Sequence, residues 1–346
     1  MAYTTIDKPT DHFNTKLYTG TGSSHAVSGI GFQPDWVWIK CRDDSHNHQV
    51  FDVVRGVHKR MRTDTDGAET ESSESLKSFD SDGFTLGTQA NVNASASGDN
   101  SFVSWNWLAG GSASSNTDGD ITSSVSANTT AGFSIVSYTA TGSGTTVGHG
   151  LGAIPKAYFL KNRASASWVC YFEAIGNTKF LQLDLTNAAG TASEAFNDTS
   201  PTSSVFSVGS DTTGNANSNN YIAYVFAEKQ GYSKIGSYTG NGNANGTFVY
   251  TGFRPAWILL KQSSTSGAGW RIHDNKRGIS GNPEDETLYA SANNAESTGR
   301  DVDFLSNGFK LRTDSGDGNS SGSTYIYMAF AESPFVNSNG VPCNAR

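Results

Sequence analysis

The sequence predicts an all-β fold, and three observations carry that prediction. The chain of 346 residues contains 38 glycines, 11 % aromatic residues and only 16 % charged residues. Small polar residues interspersed with aromatic and β-branched residues are typical of many short strands joined by turns. In addition, one set of landmarks recurs three times in the same order, which indicates internal repeats of about 100 residues each.

Each repeat opens with a Tyr-Thr turn motif, continues to a proline, and has a lysine six residues after that proline. The tyrosines are Tyr18, Tyr138 and Tyr238, the prolines are Pro34, Pro155 and Pro255, and the lysines are Lys40, Lys161 and Lys261. The four residues before each lysine are apolar. A strand that is apolar on both faces is covered on both sides, so we expect it in the middle of a sheet.

Each repeat also closes with a strand whose large apolar residues alternate. One face of the three closing strands would carry Val103, Trp105 and Trp107, then Ile222, Tyr224 and Phe226, then Ile326, Met328 and Phe330. Residues two apart share one face of a strand, so this set is predicted to face the core in every copy. The glycines of the opening motifs are expected in turns that require a positive φ.

These patterns predict three tandem β-sandwich modules, jelly-roll or lectin-like in type. The expected organisation is an N-terminal tail 1–10, module one 11–109, a Gly/Ser/Asn/Thr linker 110–132, module two 133–229, module three 230–335 and a C-terminal tail 336–346. Only a few residues around Lys229 join the last two modules. We therefore expect modules two and three to pack rigidly on each other and module one to have more freedom.

Charge and cysteine content argue against several classes of protein. The net charge of −8 would repel a nucleic-acid backbone, so no nucleic-acid partner is predicted. Three scattered cysteines suggest neither a disulfide framework nor a zinc motif. The N-terminus has no signal-peptide pattern and no stretch approaches 18 apolar residues, so we expect a protein made in the cytoplasm without membrane insertion.

Two groups of residues are weak candidates for binding sites. Asp43, His46 and His48 collect metal-capable side chains, and two histidines two apart on an extended segment would point to one side. Trp168, Trp270 and Tyr289 could stack on sugar rings, although most such aromatics are more simply core residues. The simpler interpretation of the first group is a surface loop, so neither a metal nor a cofactor is predicted.

Other motif matches do not support chemistry. The Gly318–Gly322 segment matches the G-x-S-x-G elbow at Ser320, but it lies in a Gly- and Ser-rich loop rather than between a buried strand and a helix. Asp64–Gly67 and Asp80–Gly83 resemble fragments of a calcium loop, yet no glutamate stands at the closing position of either. Asp-Gly turns explain both, and we predict no catalytic residues.

Several segments together resemble a known repeat family. These are Gly31–Lys40, Ser81–Gly87, Val125–Val136 and Tyr325–Arg346, and the resemblance covers roughly residues 11 to 335. The family has no characterised function and occurs in structural proteins of tailed bacteriophages, mainly phages of aquatic bacteria, often labelled as tail-fibre proteins. The resemblance implies a virion component that contacts other tail or capsid proteins, and it brings no catalytic residues with it.

The expected function is therefore a non-enzymatic virion protein on the particle surface, with a tail-fibre or receptor-binding component as the first choice. A host surface polysaccharide is a candidate ligand, and a homo-oligomer, with a trimer favoured, is the expected assembly. One alternative is a capsid decoration or head-fibre protein. Another, from a different class, is a carbohydrate-binding module without a viral role.

Overall fold

The computed structural model describes residues 3–278 and 281–343, and nearly all of their regular structure is β-strand. The all-β prediction is confirmed. The α-helices within the described part are four-residue turns: α1 Ala90–Asn93, α2 Ser193–Phe196, α3 Thr212–Asn215 and α4 Gly316–Asn319, with 3₁₀ turns at Pro9–Asp11 and Glu173–Ile175. No helix among the described residues is long and apolar enough to cross a membrane.

The first segment of the chain forms two sheets and one short hairpin. Its strands are β1 Phe13–Thr19, β2 His25–Ser28, β3 Trp36–Cys41, β4 Gln49–Asp52, β5 Lys59–Arg60, β6 Thr70–Glu71, β7 Leu76–Asp80, β8 Gly83–Leu86 and β9 Ser101–Trp107. The large sheet has the order β1-β9-β3-β4 and the small sheet the order β2-β8-β7, while β5 pairs with β6.

The second segment has the same plan with additional edge strands. Its strands are β10 Ser114–Asn116, β11 Ser123–Asn128, β12 Phe133–Thr139, β13 Thr145–Gly148, β14 Ala157–Asn162, β15 Val169–Phe172, β16 Lys179–Gln182, β17 Gly190–Thr191, β18 Val205–Val208 and β19 Asn220–Phe226. The large sheet runs β10-β11-β12-β19-β14-β15-β16-β17, and β13 pairs with β18.

The third segment closes the chain. Its strands are β20 Ser233–Thr239, β21 Phe248–Tyr250, β22 Phe253–Gln262, β23 Arg271–Asp274, β24 Leu288–Tyr289, β25 Val302–Leu305, β26 Gly308–Leu311 and β27 Thr324–Pro334. The large sheet has the order β20-β27-β22-β23-β24, and the small sheet has the order β21-β26-β25.

One strand order therefore recurs in the three large sheets: opening strand, closing strand, post-proline strand, next strand. The post-proline strands β3 and β14 are buried at every position, and so are the last six residues of β22. Each lies between two partners in its sheet, as its unbroken apolar sequence predicts. The strand order thus follows the landmarks that the sequence repeats.

The opening Tyr-Thr motif is held by the last residue of a short helix. In the three segments, Asn93, Asn215 and Asn319 donate from Nδ2 to the carbonyls of Ser23, Ser143 and Asn243 at 2.6, 2.7 and 2.9 Å. The last glycine of each motif has a positive φ, namely 64° at Gly22, 75° at Gly142 and 66° at Gly242. Only glycine adopts this conformation without strain, so the turn prediction is confirmed.

The three large sheets share a single core. All nine apolar residues of the closing-strand face named above are buried in one cluster, to which each segment contributes. Trp36 of β3 stacks on Tyr224 of β19 at 4.4 Å between ring centroids, and Trp107 of β9 packs edge-on against Trp257 of β22 at 5.5 Å. The opposite face of each large sheet packs in a separate cluster with its own small sheet.

The structure corrects two expectations about the first segment. Part of the presumed linker 110–132 forms β10 and β11, which extend the second large sheet through β11–β12 pairing. The first segment is not loosely attached, because its tryptophans lie at the centre of the shared core. A Gly- and Ser-rich composition indicated flexibility, but the backbone hydrogen bonds of an edge strand do not require large side chains.

Candidate functional site

Three loops connect the segments to one another, each reaching from one segment into the next. We call residues 61–69, 182–189 and 289–296 the first, second and third bridging loops. The first contacts the second segment, the second contacts the third segment, and the third returns to the first segment. The backbone N–H groups of Glu69, Ala189 and Glu296 donate to the carbonyls of Arg163, Ser263 and Arg42 at 2.9, 2.9 and 2.7 Å. The segments therefore form a closed ring.

The repeated lysine is buried in each copy, and in the second and third copies it donates to a bridging loop. Lys161 Nζ donates to the Asp66 carbonyl at 2.9 Å, and Lys261 Nζ donates to the Thr186 carbonyl at 3.3 Å. Lys40 Nζ donates to the carbonyls of Cys41 and Asp44 at 2.5 and 3.1 Å. Burial lowers the pKa of each of the three lysines to about 8. The lysine landmark thus marks an interface rather than a reactive amine in a cleft.

In each copy, an aromatic N–H group donates to the bridging loop that reaches that copy from another segment. Trp168 Nε1 donates to the Arg62 carbonyl at 2.7 Å, and Trp270 Nε1 donates to the Gln182 carbonyl at 2.8 Å. Both tryptophans are fully buried, so the proposal that they stack on a glycan is wrong. A partnered N–H group inside an interface is the common arrangement of buried tryptophan.

His48 has the corresponding position in the first segment, and it is not available to a metal. Its Nδ1 accepts a hydrogen bond from Trp38 Nε1 at 2.8 Å, so its Nε2 carries the proton and donates to the Tyr289 carbonyl at 2.9 Å. Burial and the neighbouring Lys40 charge lower the pKa of His48 well below its usual range, which keeps the ring neutral. His48, a weak candidate for metal binding, is therefore excluded as a ligand because both of its ring nitrogens have protein partners.

Tyr289, the third residue proposed for glycan binding, is half-buried. Its hydroxyl donates to Asp317 Oδ2 at 2.6 Å, and its ring packs against Gly269. Burial, followed by the nearby Asp317 carboxylate, raises the pKa of Tyr289 to about 12. The Tyr289 side chain therefore packs within the third segment. The backbone carbonyl of Tyr289 accepts a hydrogen bond from His48.

Two of the three interfaces contain a buried network of charges. Arg55 Nε donates to Asp52 Oδ2 at 2.5 Å, and Glu69 accepts from both Arg55 and Arg163 at 3.1 and 2.7 Å. Tyr224, in the closing strand of the second segment, donates to Asp52 at 2.8 Å. Each N–H group of Arg55 therefore has an acceptor that belongs to the same or the neighbouring segment.

The interface between the third and first segments repeats this network. Arg277 Nε donates to Asp274 Oδ2 at 2.6 Å, and Glu296 accepts from Arg277 and Arg42 at 2.5 and 2.6 Å. Trp105 donates from Nε1 to Asp274 at 2.8 Å, in the place that Tyr224 has in the other network. Arg277 also lies 5.7 Å from the centre of the Trp105 ring.

The interface between the second and third segments replaces these charges with apolar groups. Phe172 and Ile175 stand where Asp52 and Arg55 stand in the first segment, and Ala189 stands where Glu69 stands. Phe172 packs against Trp270 with 5.9 Å between ring centroids. All three residues adjoin the shared core, so this interface is held by burial rather than by ion pairs.

His46 and Asp43 lie in a separate cluster at the end of β3. Cys41 Sγ, His46 Nε2 and an Asp99 carboxylate oxygen all lie within 4.8 Å of one another. The separation of Sγ from Asp99 Oδ1 is 3.6 Å, that of His46 Nε2 from the same oxygen is 2.7 Å, and that of Sγ from Asp43 Oδ1 is 3.2 Å. Sequence spacing could suggest His46 and Asp43, but Asp99 is more than 50 residues away.

The weak motif matches are structural. Asp82 accepts hydrogen bonds from the N–H groups of Gly29 and Gly31 at 3.0 and 2.6 Å, and Asp64 accepts from Asn47 at 2.7 Å. The G-x-S-x-G match contains Asn319, the asparagine that holds the opening motif of the third segment. Its serine, Ser320, follows α4, and the Ser320 N–H donates to the Tyr325 hydroxyl at 2.9 Å.

The third segment carries an exposed aromatic surface. Of the described aromatic side chains, Phe248 and Tyr250 are the exposed ones, at 44 % and 55 % of full exposure. They lie two residues apart on one face of β21, an edge strand. Tyr250 borders a shallow cavity of about 420 Å³, which Tyr3, Glu228 and Lys234 also line.

One protein-family model matches nearly the whole chain. The model of a family described as domain of unknown function DUF7483 matches residues 8–334. The chain belongs to the DUF7483 family. No curated protein and no solved structure matches it. The matched range includes all three segments. These are the segments that the bridging loops join into one body.

The exposed aromatic pair of this DUF7483 chain was missed from the sequence, although the repeat contains the signal. Val27, Val147 and Val249 are equivalent, because each pairs with the phenylalanine of the same small-sheet hairpin. The residues that flank these valines are Ala26 and Ser28 in the first copy, Thr146 and Gly148 in the second, and Phe248 and Tyr250 in the third. Aromatic residues at these positions are therefore not needed for the fold.

Proposed function

We propose that this chain is a non-enzymatic structural protein of a bacteriophage particle, exposed on its surface as a tail-fibre or receptor-binding component. In this proposal, the chain consists of three tandem two-sheet β-sandwich modules of the jelly-roll or lectin-like kind. It attaches to other virion proteins and binds a host surface polysaccharide. The bacteriophage assignment rests on the resemblance of the repeat segments described above.

The closed ring is the observation that carries the proposal. Three copies of one strand order bury their closing-strand faces together and exchange bridging loops in cyclic order, as three subunits of a trimer would. Such a body presents three related outer surfaces and a filled interior. This arrangement suits a component that docks on other proteins and displays a binding surface.

The use of titratable groups also supports a non-enzymatic role. The three buried lysines donate to backbone carbonyls, and the buried Arg55 and Arg277 are paired with carboxylates inside the interfaces. A hydrolase that cleaves sugars needs two carboxyl groups that face a common cleft. The cavity beside Tyr250 contains one carboxylate, Glu228, and it is paired with Lys234 at 3.0 Å.

The surface formed by Phe248, Tyr250 and Tyr3 is the best candidate for polysaccharide binding. The flat, apolar faces of sugar rings pack on exposed aromatic rings, while their hydroxyl groups need polar partners nearby. Glu228, Lys234 and the Tyr3 hydroxyl, which donates to the Gly252 carbonyl at 2.7 Å, provide such partners. The positions equivalent to Phe248 and Tyr250 carry small residues in the other two copies.

A glycan array with polysaccharides from candidate host bacteria tests the binding surface. The matched variant carries Phe248→Ala and Tyr250→Ser, which places the residues of the first copy, Ala26 and Ser28, on the third. We expect the wild-type chain to bind a host polysaccharide and this variant to lose at least tenfold in affinity with an unchanged melting temperature. Equal binding by both chains would contradict the assigned surface.

Immunogold labelling of the particle tests the location. Labelling on the tail, together with glycan binding, is the expected result. Labelling confined to the head without glycan binding would favour a capsid decoration or head-fibre protein instead. Glycan binding by a chain that is found on no particle would favour a carbohydrate-binding module without a viral role, and release of sugar fragments would contradict the non-enzymatic assignment.

The expected homotrimer remains a prediction, which a native mass measurement tests. One chain already contains a threefold cyclic arrangement of segments, so a single chain could occupy a threefold axis that otherwise needs three subunits. A mass near 36.7 kDa would indicate that the ring within one chain is the functional unit. A mass three times larger would show that three rings associate.

A further inference from the structure

The cluster at the end of β3 combines the donor atoms that zinc prefers. Cys41 is the last residue of β3, His46 lies in the loop that follows, and Asp99 lies in the turn before β9. A thiolate sulfur, an imidazole nitrogen and a carboxylate oxygen are the ligand types found in protein zinc sites. Sulfur with nitrogen and oxygen also argues against Mg²⁺ and Ca²⁺, which take oxygen ligands.

A fourth donor, the Asp43 carboxylate, lies beside Cys41 and outside the group of three atoms that are all within 4.8 Å of one another. Asp43 Oδ1 is 3.2 Å from Cys41 Sγ, and the Asp43 carboxylate also accepts from the N–H groups of Asn100 and Ser101 at 3.1 to 3.2 Å. These backbone contacts fix the carboxylate at the edge of the cluster. When an ion draws the side chains together, Asp43 would supply the fourth ligand of the tetrahedral coordination that zinc adopts in structural sites.

The second shell orients the histidine for a cation. His46 Nδ1 lies 2.9 Å from the side-chain oxygen of Asn91 and donates to it, which leaves Nε2 directed at Asp99 and Cys41. Metal-binding histidines almost always donate their other ring N–H group to an oxygen acceptor in this way. In the metal-free chain, Nε2 lies 2.7 Å from Asp99 Oδ1, and a cation that binds both atoms would enter between them.

The internal repeat shows that these ligands are not needed for folding. The residue after the buried lysine is Cys41 in the first copy, Asn162 in the second and Gln262 in the third. Asn162 fills its position with two hydrogen bonds, to the Tyr221 hydroxyl at 3.1 Å and from the Ala164 N–H group at 2.9 Å. The first copy has instead acquired a thiol next to a histidine and two carboxylates.

We propose that Cys41, His46, Asp99 and Asp43 form a structural zinc site in the first segment. The His46 and Asp99 side chains are 19 % and 23 % exposed, so the ion can enter from solvent without unfolding. On binding, a zinc–sulfur bond forms, and the Cys41 thiol proton leaves to solvent. The ion joins the loop 42–48 to the turn before β9.

The site would stabilise the interface that closes the ring. The loop 42–48 contains Arg42, which pairs with Glu296, and His48, which donates to the Tyr289 carbonyl. A zinc ion that fixes this loop holds both contacts of the third bridging loop. Zinc is therefore expected to raise the melting temperature of the whole ring, because an ion that binds only the folded state stabilises that state.

The test is a calorimetric titration of the chelator-treated full-length chain with Zn²⁺. The parent for this experiment carries Cys343→Ser, which removes a partly exposed thiol outside the site. We expect one zinc per chain. Cys41→Asn, which introduces the residue of the second copy, and His46→Gln should each weaken binding at least tenfold. Asn91→Ala should weaken it by about 10- to 100-fold, because it removes the acceptor of the His46 N–H group.

Two matched variants and one spectroscopic measurement complete the test. Cys170→Ala removes another buried thiol, and His25→Gln alters another partly buried histidine, so both should keep full zinc affinity. Substitution with Co²⁺ should produce a thiolate-to-metal absorption band that Cys41→Asn lacks and Cys170→Ala retains. Two results would overturn the proposal: a stoichiometry far below one zinc ion per chain, or a zinc affinity that is unchanged in Cys41→Asn and His46→Gln.

Discussion

Two interfaces of the ring have equivalent backbone contacts, but one contains charged side chains and the other contains apolar side chains. Between the first and second segments, Asp52, Arg55 and Glu69 form a buried network of charges, whereas Phe172, Ile175 and Ala189 occupy the equivalent positions between the second and third segments. The backbone contacts of the bridging loops are the same in both. The comparison teaches that the backbone and the shared core define the ring, while the side chains at this position can be charged or apolar.

The largest expected effect comes from breaking one ion pair in a charged interface. Arg55→Leu leaves Asp52 as an unpaired buried charge and should lower the free energy of unfolding by about 3–5 kcal/mol. The matched substitution at the apolar interface, Ile175→Leu, conserves volume and should cost less than about 1.5 kcal/mol. Urea unfolding measures both, and similar losses from the two variants would show that the charges are not paired as described.

Conversion of the charged interface into the apolar one sharpens the comparison. A chain with Asp52→Phe, Arg55→Ile, Glu69→Ala, Arg163→Ser and Tyr224→Met carries the residues of the second interface on the first. Because the whole network is replaced at once, no charge is left unpaired, and unfolding should become more costly by about 1–4 kcal/mol or stay unchanged. A loss as large as that of Arg55→Leu in the same urea measurement would contradict the equivalence of the two interfaces.

A smaller effect is expected at a contact that both interfaces share. Trp168→Phe and Trp270→Phe each remove an N–H group and leave a buried bridging-loop carbonyl without its donor, which should cost about 1–3 kcal/mol. Trp36→Phe is the control, because Trp36 is equally buried but its Nε1 has no hydrogen-bond partner among the described residues. If Trp36→Phe is as destabilising as the other two in thermal unfolding, packing alone explains the loss.

A pH dependence is also expected from the three interface lysines. Burial lowers their pKa from 10.5 to about 8, so between these values the unfolded chain binds more protons than the folded chain. Stability contributed by these groups therefore rises as the pH increases from about 8 towards 10. The melting temperature of the wild-type chain should rise in this window relative to that of a Lys40→Met, Lys161→Met, Lys261→Met variant, and parallel curves would contradict it.

The sequence predicted the fold better than the site because the two depend on different kinds of information. Alternation in the closing strands and the apolar run before each lysine directly report which faces are buried, and the structure confirms both. The role of 110–132 was misjudged because an edge strand such as β10 can be built from small polar residues, which a linker also contains.

The binding residues depend on contacts between distant positions, which a single sequence does not display. Trp168 and Trp270 are sequence candidates for stacking on sugar rings. In the structure, each is covered by a loop from another segment, about 90 to 110 residues away in the chain. Asp99 approaches His46 through the α1–β9 connection in the same way. By contrast, alignment of the three copies could have identified Phe248 and Tyr250, since only the third copy has aromatics there.

Differential scanning calorimetry of the full chain tests the ring most directly. A single shared core and three closed interfaces predict one cooperative transition, with a calorimetric enthalpy equal to the van't Hoff enthalpy. A separate early transition that accounts for about a third of the enthalpy and is assigned to the first segment would contradict the account, because that segment would then unfold independently of the other two.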